Sequence, residues 1–87
     1  MDVAEVRSKV KQIISNVTNI APDQIADHAS FIDDLNLDSL SLLEIGVDVD
    51  FEFKLGVPEE RLQQLRTVQD SVDLVLQVLT EKNAVAT

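Results

Sequence analysis

The sequence predicts an all-α fold, a small four-helix bundle of three main helices and one short helix with a long first loop. Apolar residues recur at spacings of three and four in three separate segments, which is the period of an amphipathic helix. The chain has no β-hairpin signal and no internal repeat. Its 87 residues predict a single domain, with a core at about 3–81 and a frayed tail at 83–87.

The first helix is expected at about residues 2–17, where six apolar residues keep the helical spacing. They are Val3, Val6, Val10, Ile13, Ile14 and Val17. Asn19 and Pro22 end this helix and open the long loop. The apolar residues of the loop are spaced too irregularly for one helix, but they can hold the loop against the core. A short helical turn fits near residues 22–25.

The second helix is expected at about 39–53, and it has two apolar stripes instead of one. The first stripe, which suits the core, is Leu42, Ile45, Val49 and Phe53. The second stripe, with acidic neighbours, is Leu40, Leu43, Val47 and Phe51. Two interpretations of the second stripe stay open, an outward docking strip or a helix buried on a broad face. Gly46 costs this helix about 1 kcal/mol relative to Ala, and close packing against another helix would explain it.

Two further elements complete the bundle. Val57-Pro58-Glu59-Glu60 predicts a short helix with proline at its first position and acidic residues in its first turn. Thr67 followed by Asp70 has the spacing of a helix cap. The last helix is expected at about 68–81, from the apolar positions Val68, Val72, Leu74, Val75, Val78 and Leu79.

Composition excludes several classes of function. The net charge is −9, and residues 23–60 hold eleven acidic residues and a single basic one, Lys54. Such a surface disfavours nucleic acid and anionic membranes and attracts basic protein partners. The chain has no cysteine, no apolar run long enough to cross a bilayer and no signal-peptide pattern. The sequence therefore predicts a soluble, cytoplasmic protein without disulfides or thiolate metal sites, and we expect a monomer.

Residues 31–44 run from an acidic loop directly into the second helix, with Ser39 at the junction. Asp38 and Ser39 are both common N-cap residues, so the pattern alone predicts only a helix start. A serine there also lies beside the exposed backbone N–H groups and the positive end of the helix dipole. This position suits an attached phosphate group.

The sequence Asp38-Ser39-Leu40, preceded by Asp-Asp-Leu-Asn-Leu, resembles the prosthetic-group attachment site of acyl carrier proteins. The resemblance covers about residues 3–80. It implies that a phosphopantetheinyl transferase, using magnesium, moves 4′-phosphopantetheine from coenzyme A to Ser39. The chain would then be a non-catalytic carrier of acyl thioesters in fatty-acid or polyketide biosynthesis. Asn36 lies where the family usually has glycine, and Asn tolerates the positive φ of a tight turn.

The resemblance also implies a partner surface and a cavity on the second helix. Ketosynthase, acyltransferase and other synthase enzymes would bind it through basic patches. The implied recognition residues are Asp38, Leu40, Leu43, Glu44, Val47 and Asp50. Phe51 departs from the family, which often has an acidic residue there. Acyl chains of the family fold into a cavity beside this helix, which implies a lining by Leu42, Ile45, Gly46, Val49 and Phe53.

Other functions fit the sequence less well. A catalytic Ser39 would need a base and an oxyanion hole, and His28 is the only histidine. Asp34, Asn36 and Asp38 resemble the start of an EF-hand loop, but the glycine at position six and the glutamate at position twelve are missing.

Two alternatives to the acyl carrier stay open. An acidic helical adaptor would use the same surface without modification of Ser39. A peptidyl carrier would be modified in the same way, but these carriers commonly have His-Ser in place of Asp38-Ser39. The sequence identifies neither the cargo nor the pathway. The short ends favour a standalone protein over a domain excised from a synthase.

Overall fold

The computed structural model describes the backbone of residues 2–86 and the side chains of residues 2–81. Its helices are α1 (Val3–Thr18), α2 (Ser39–Phe53), α3 (Glu59–Leu62) and α4 (Val68–Ala86), and Pro22–Gln24 form a single 3-10 turn in the first loop. The predicted all-α bundle with three main helices and one short helix is confirmed. Among the described residues, no helix is both long and apolar enough to cross a membrane.

The helix boundaries differ from the expected ones in three places. α1 begins at Val3 because the Asp2 carboxylate accepts a hydrogen bond from the Glu5 N–H at 2.8 Å and caps the helix. Pro58 is the residue before α3, not its first helical residue. α4 continues to Ala86, five residues beyond the expected end. Fraying of residues 83–87 stays a prediction, and Thr87 lies outside the described residues.

The core lies where α1, α2 and α4 pack together. The stripe of α2 that was expected to face the core does so, and the apolar faces of α1 and α4 meet it. The fully buried apolar residues of the three helices are Val6, Val10, Ile14, Ile45, Val49, Val68, Val72 and Val75. Burial of apolar surface by all three faces therefore stabilises the bundle and fixes α2, which carries Ser39 at its start.

The long first loop is attached to the bundle along its length. Ile25 and Phe31 are almost completely buried. The Phe31 N–H donates to the Arg66 carbonyl oxygen at 2.9 Å, within an isolated antiparallel bridge between the loop and the segment before α4. Asp27 accepts a hydrogen bond from the Lys11 ammonium of α1, which holds the pKa of the Asp27 carboxyl below its usual value. The loop therefore delivers the chain to α2 at a defined place.

The caps and turns near the site follow the expected chemistry. Asn36 has φ of 54°, so the residue that replaces glycine does occupy the left-handed region. Thr67 and Asp70 exchange hydrogen bonds as a capping box at the start of α4, each 3.1 Å long. Lys54 ends α2 with φ of 53°, a left-handed residue that the sequence analysis did not anticipate.

The fully buried Ser71 of α4 is expected to destabilise the domain. Its side-chain oxygen has no hydrogen-bond partner among the described residues. An unsatisfied buried hydroxyl costs about 1–3 kcal/mol, and Ala is also the better helix former. We therefore expect Ser71→Ala to raise the free energy of unfolding by about 1 kcal/mol. Urea denaturation would measure the change, and a less stable variant would contradict the assignment of an unsatisfied hydroxyl.

Candidate functional site

Only one of the two candidate cap residues at the start of α2 acts as the cap. Asp38 is the N-cap, because its carboxylate accepts a hydrogen bond from the Ser41 N–H at 2.8 Å. This bond holds the pKa of the Asp38 carboxyl below its usual value. Ser39 is the first helical residue, and it is exposed. Within the described part of the chain its hydroxyl has no hydrogen-bond partner. Ser39 is thus free of any capping role.

Two surface hollows meet at Ser39, and they differ in chemistry. The apolar hollow, of about 500 Å³, is lined by Ser39, Leu40, Leu42, Leu43 and Gln63. The polar hollow, of about 430 Å³, shares Ser39, Leu42 and Gln63 with it. The polar hollow also has Ser30, Ile32, Asp33, Leu65 and Arg66 in its lining. A group attached to Ser39 would therefore have both hollows within reach.

The second stripe of α2 faces outward. Leu40, Val47 and Phe51 are 74%, 49% and 84% exposed, and Leu43 is half-buried. Exposed acidic side chains accompany them at Glu44, Asp48 and Glu52. Of the two interpretations of this stripe, the outward strip agrees with the structure and the broad buried face does not. We call Leu40, Leu43, Glu44, Val47, Asp48 and Phe51 the docking strip.

Asp50 has a structural role that the sequence analysis missed. It is half-buried, and its carboxylate accepts a hydrogen bond from the Val57 N–H at 3.1 Å. The turn between α2 and α3 is closed by this bond and by the Leu55 N–H, which donates to the Asp50 carbonyl oxygen. The sequence feature that could have indicated this role is the position of Asp50 one turn before the end of α2. A role of Asp50 in recognition stays a prediction.

The five residues expected to line an acyl cavity are all buried in α2: Leu42, Ile45, Gly46, Val49 and Phe53. Leu42 also lines the apolar hollow. A Cβ atom on Gly46 would lie 3.0 Å from the Leu62 Cβ atom of α3. Close helix packing therefore explains this glycine, and its place in an acyl cavity stays a prediction.

The acidic residues before α2 are engaged in backbone contacts. Asp34 accepts a hydrogen bond from the Ser30 N–H at 2.7 Å, and Asp38 caps α2. In the described part of the chain, no group of three or more acidic, histidine or cysteine side chains could hold a metal ion. Both carboxylates of the EF-hand-like sequence Asp34, Asn36 and Asp38 thus accept hydrogen bonds from the backbone.

A family model described as the phosphopantetheine attachment site matches residues 8–75, a span that reaches from α1 into α4 and includes Ser39. The structure fits such a group, because the exposed hydroxyl of Ser39 lies beside two hollows and has no partner among the residues that the structure describes. The fold and the matched span define a phosphopantetheine-binding carrier domain.

Similar proteins agree on the kind of carrier. The chain is 40% identical to the acyl carrier protein of Buchnera aphidicola over 80% of this chain and 89% of that one. It is 42% identical to the meromycolate extension acyl carrier protein of Mycobacterium leprae over 91% and 68% of the two chains. The apo doublet acyl carrier protein from prodigiosin biosynthesis superimposes with a TM-score of 0.77 at 26% identity. That alignment covers 88% of this chain but only 38% of the doublet.

The chain belongs to the acyl carrier protein family. It is a carrier with covalently attached phosphopantetheine. Members of this family interact with a phosphopantetheinyl transferase and with synthase enzymes, and they are generally non-catalytic.

Proposed function

We propose that Ser39 holds 4′-phosphopantetheine and that this single acyl-carrier domain passes acyl thioesters between enzymes of fatty-acid or polyketide synthesis. The observation that carries the proposal is the exposed Ser39 hydroxyl at the first residue of α2, with the capping role taken by Asp38. A substituent at Ser39 would therefore break no hydrogen bond of the Ser39 side chain within residues 2–81. The domain itself would catalyse no step.

The chain contributes little to the attachment reaction beyond the position of Ser39. The Ser39 Oγ atom forms a bond to the phosphorus atom of the phosphopantetheine group of coenzyme A. The bond between that phosphorus and the bridging oxygen of the nucleotide breaks, and the serine proton passes to a base of the transferase. The positive end of the α2 dipole would lie beside a phosphodiester at Ser39 and would favour its negative charge. When attached, the group supplies a flexible arm whose terminal thiol holds acyl groups as thioesters.

Intact-protein mass spectrometry tests the proposal. The purified chain is incubated with coenzyme A, magnesium and a broad-specificity phosphopantetheinyl transferase, and the modified peptide is then mapped. We expect the gain of one phosphopantetheine, located at Ser39. A folded sample that gains no mass would favour the acidic adaptor instead. A modification mapped to another residue would contradict the assignment of Ser39.

The docking strip supports the proposed partners. Its exposed apolar residues are accompanied by Glu44 and Asp48, and the surrounding residues 23–60 are strongly acidic. Apolar surface with acidic neighbours is complementary to an apolar pocket that has basic residues at its rim. Such a partner surface would be found on the transferase, a ketosynthase or an acyltransferase. The same acidic residues disfavour binding to a second copy of this chain, to nucleic acid and to anionic membranes. We therefore propose that the protein is a monomer. We also propose that it acts in the cytoplasm.

We expect Glu44→Lys combined with Asp48→Lys to weaken partner binding. Each exposed carboxylate contributes only about 0.2–1 kcal/mol to an ion pair, but reversal also introduces repulsion. At low salt the KM of the transferase for the double variant should rise roughly tenfold, and added salt should reduce the difference. Steady-state loading kinetics would measure both effects.

The matched control for this prediction is Asp73→Lys combined with Glu81→Lys. Both residues are exposed on α4, and the change in net charge is the same. We expect a much smaller rise of KM for the control. Equal KM values for the two double variants would show that only net charge matters and would contradict a docking role of the strip.

A further inference from the structure

The polar hollow beside Ser39 offers more hydrogen-bonding groups than attachment itself requires. Its lining includes Ser30, Gln63 and Arg66, whose side chains carry a hydroxyl, an amide and a guanidinium, and it also includes the acidic Asp33. Its base is apolar, because Leu42 and Leu65 are buried. Arg66 is the only cationic residue in the described lining of either hollow. The hollow therefore combines one positive charge from Arg66, one negative charge from Asp33, neutral polar groups and a small apolar base.

Arg66 has a fixed backbone and an exposed side chain. Its N–H donates to the Asp70 carboxylate at 3.1 Å, and its carbonyl oxygen accepts from the Phe31 N–H at 2.9 Å. Its side chain makes no ion pair within the described residues. The fold thus holds the base of a long cationic side chain at the wall of a hollow that also contains Ser39.

We propose that the polar hollow is a resting site for the phosphopantetheine arm, with Arg66 paired to the phosphodiester. This inference rests on the attachment to Ser39 proposed above. The phosphodiester adds one negative charge to a region where Asp33 and Asp38 are already close along the chain. A guanidinium binds such an anion with charge-assisted hydrogen bonds. Arg66 therefore offsets a repulsion that the modification itself creates.

The rest of the arm fits the same hollow. Pantetheine has a hydroxyl group, two amides and a branched pair of methyl groups. Gln63 and Ser30 can exchange hydrogen bonds with the amides, and the half-exposed Ile32 offers apolar surface to the methyl groups. The apolar hollow shares Gln63, but it has Leu40 and Leu43 in place of Ser30, Ile32 and Arg66. An arm in the polar hollow would leave the apolar hollow to the acyl chain.

Nuclear magnetic resonance of the uniformly labelled apo and holo proteins tests the proposal. Conversion to the holo form should shift the Arg66 Nε–Hε signal and the Gln63 side-chain amide signals. Nuclear Overhauser contacts should join the pantetheine methyl groups to Ile32 or Leu65. In Arg66→Gln these contacts should be lost, and Arg66→Lys should retain part of them because it keeps the charge.

Arg61→Gln is the matched control, since Arg61 bonds to Gln77 of α4 and lines neither hollow at Ser39. It should keep the contacts of the wild type. Arm contacts with Leu40 and Leu43, or equal loss in Arg61→Gln and Arg66→Gln, would overturn the proposal. So would an unchanged Arg66 signal in a fully modified protein. Mass spectrometry separates these outcomes from failure of the attachment itself, because a missing mass gain would reject Ser39 as the site instead.

Discussion

Ser39→Ala is expected to abolish phosphopantetheine attachment while the fold is retained. Alanine lacks the oxygen that must bond to phosphorus, so no residual loading at this position can occur. The exposed Ser39 hydroxyl makes no hydrogen bond within the described residues, and Asp38 continues to cap α2. The free energy of unfolding should therefore change by no more than about 0.5 kcal/mol. Mass spectrometry and urea denaturation would measure the two quantities separately.

Neighbouring serines provide the controls for this prediction. Ser41 contributes its backbone N–H to the Asp38 cap, which Ser41→Ala keeps. Ser30 lines the polar hollow, and its hydroxyl accepts a hydrogen bond from the Asp33 N–H at 3.2 Å. We expect both alanine variants to gain one phosphopantetheine. Loading of Ser39→Ala to the wild-type extent would mean that another hydroxyl is the acceptor.

Phe31→Ala should cause the largest loss of stability among the changes considered. Phe31 is completely buried, and it is the residue at which the first loop bridges to the Arg66 carbonyl oxygen. Removal of a buried phenylalanine side chain costs about 3–5 kcal/mol, from lost burial and from the cavity left behind. That is a large part of the roughly 5–15 kcal/mol that stabilises an ordinary domain. Thermal or urea denaturation would measure the loss.

Phe51→Ala is the matched control, because the same atoms are removed from an 84% exposed position. Its free energy of unfolding should change by no more than about 0.5 kcal/mol. If the two variants lost equal stability, the assignment of Phe31 to the core and of Phe51 to the docking strip would be contradicted.

The difference in exposure between the buried Phe31 and the exposed Phe51 also indicates a surface role for Phe51. Phe51 is an exposed aromatic side chain at the end of the docking strip. Exposed aromatic residues are costly for solubility and are common at the centre of protein interfaces. The aromatic end of the strip is therefore consistent with the proposed docking role.

Periodicity was enough to predict the helices, because each main helix buries an apolar stripe at a spacing of three and four residues. α2 was predicted at 39–53 and is found at Ser39–Phe53. Capping chemistry is equally local, which is why Thr67 with Asp70 and the positive φ of Asn36 could be anticipated. The end of α4 was missed by five residues, since polar residues after 81 end the apolar pattern without ending the helix.

The sequence by itself determined the family, the helices and the candidate serine, because these depend on local pattern and on residues adjacent in the chain. Only the tertiary structure decided that the second stripe of α2 faces outward, that Gly46 packs on Leu62 and that Asp50 closes a turn. It also brought Arg66 to the hollow that contains Ser39. Apart from the turn that Asp50 closes with Val57, seven residues further on, each of these depends on residues distant in the chain. Their placement follows from the packing of the loop and α3 against the bundle.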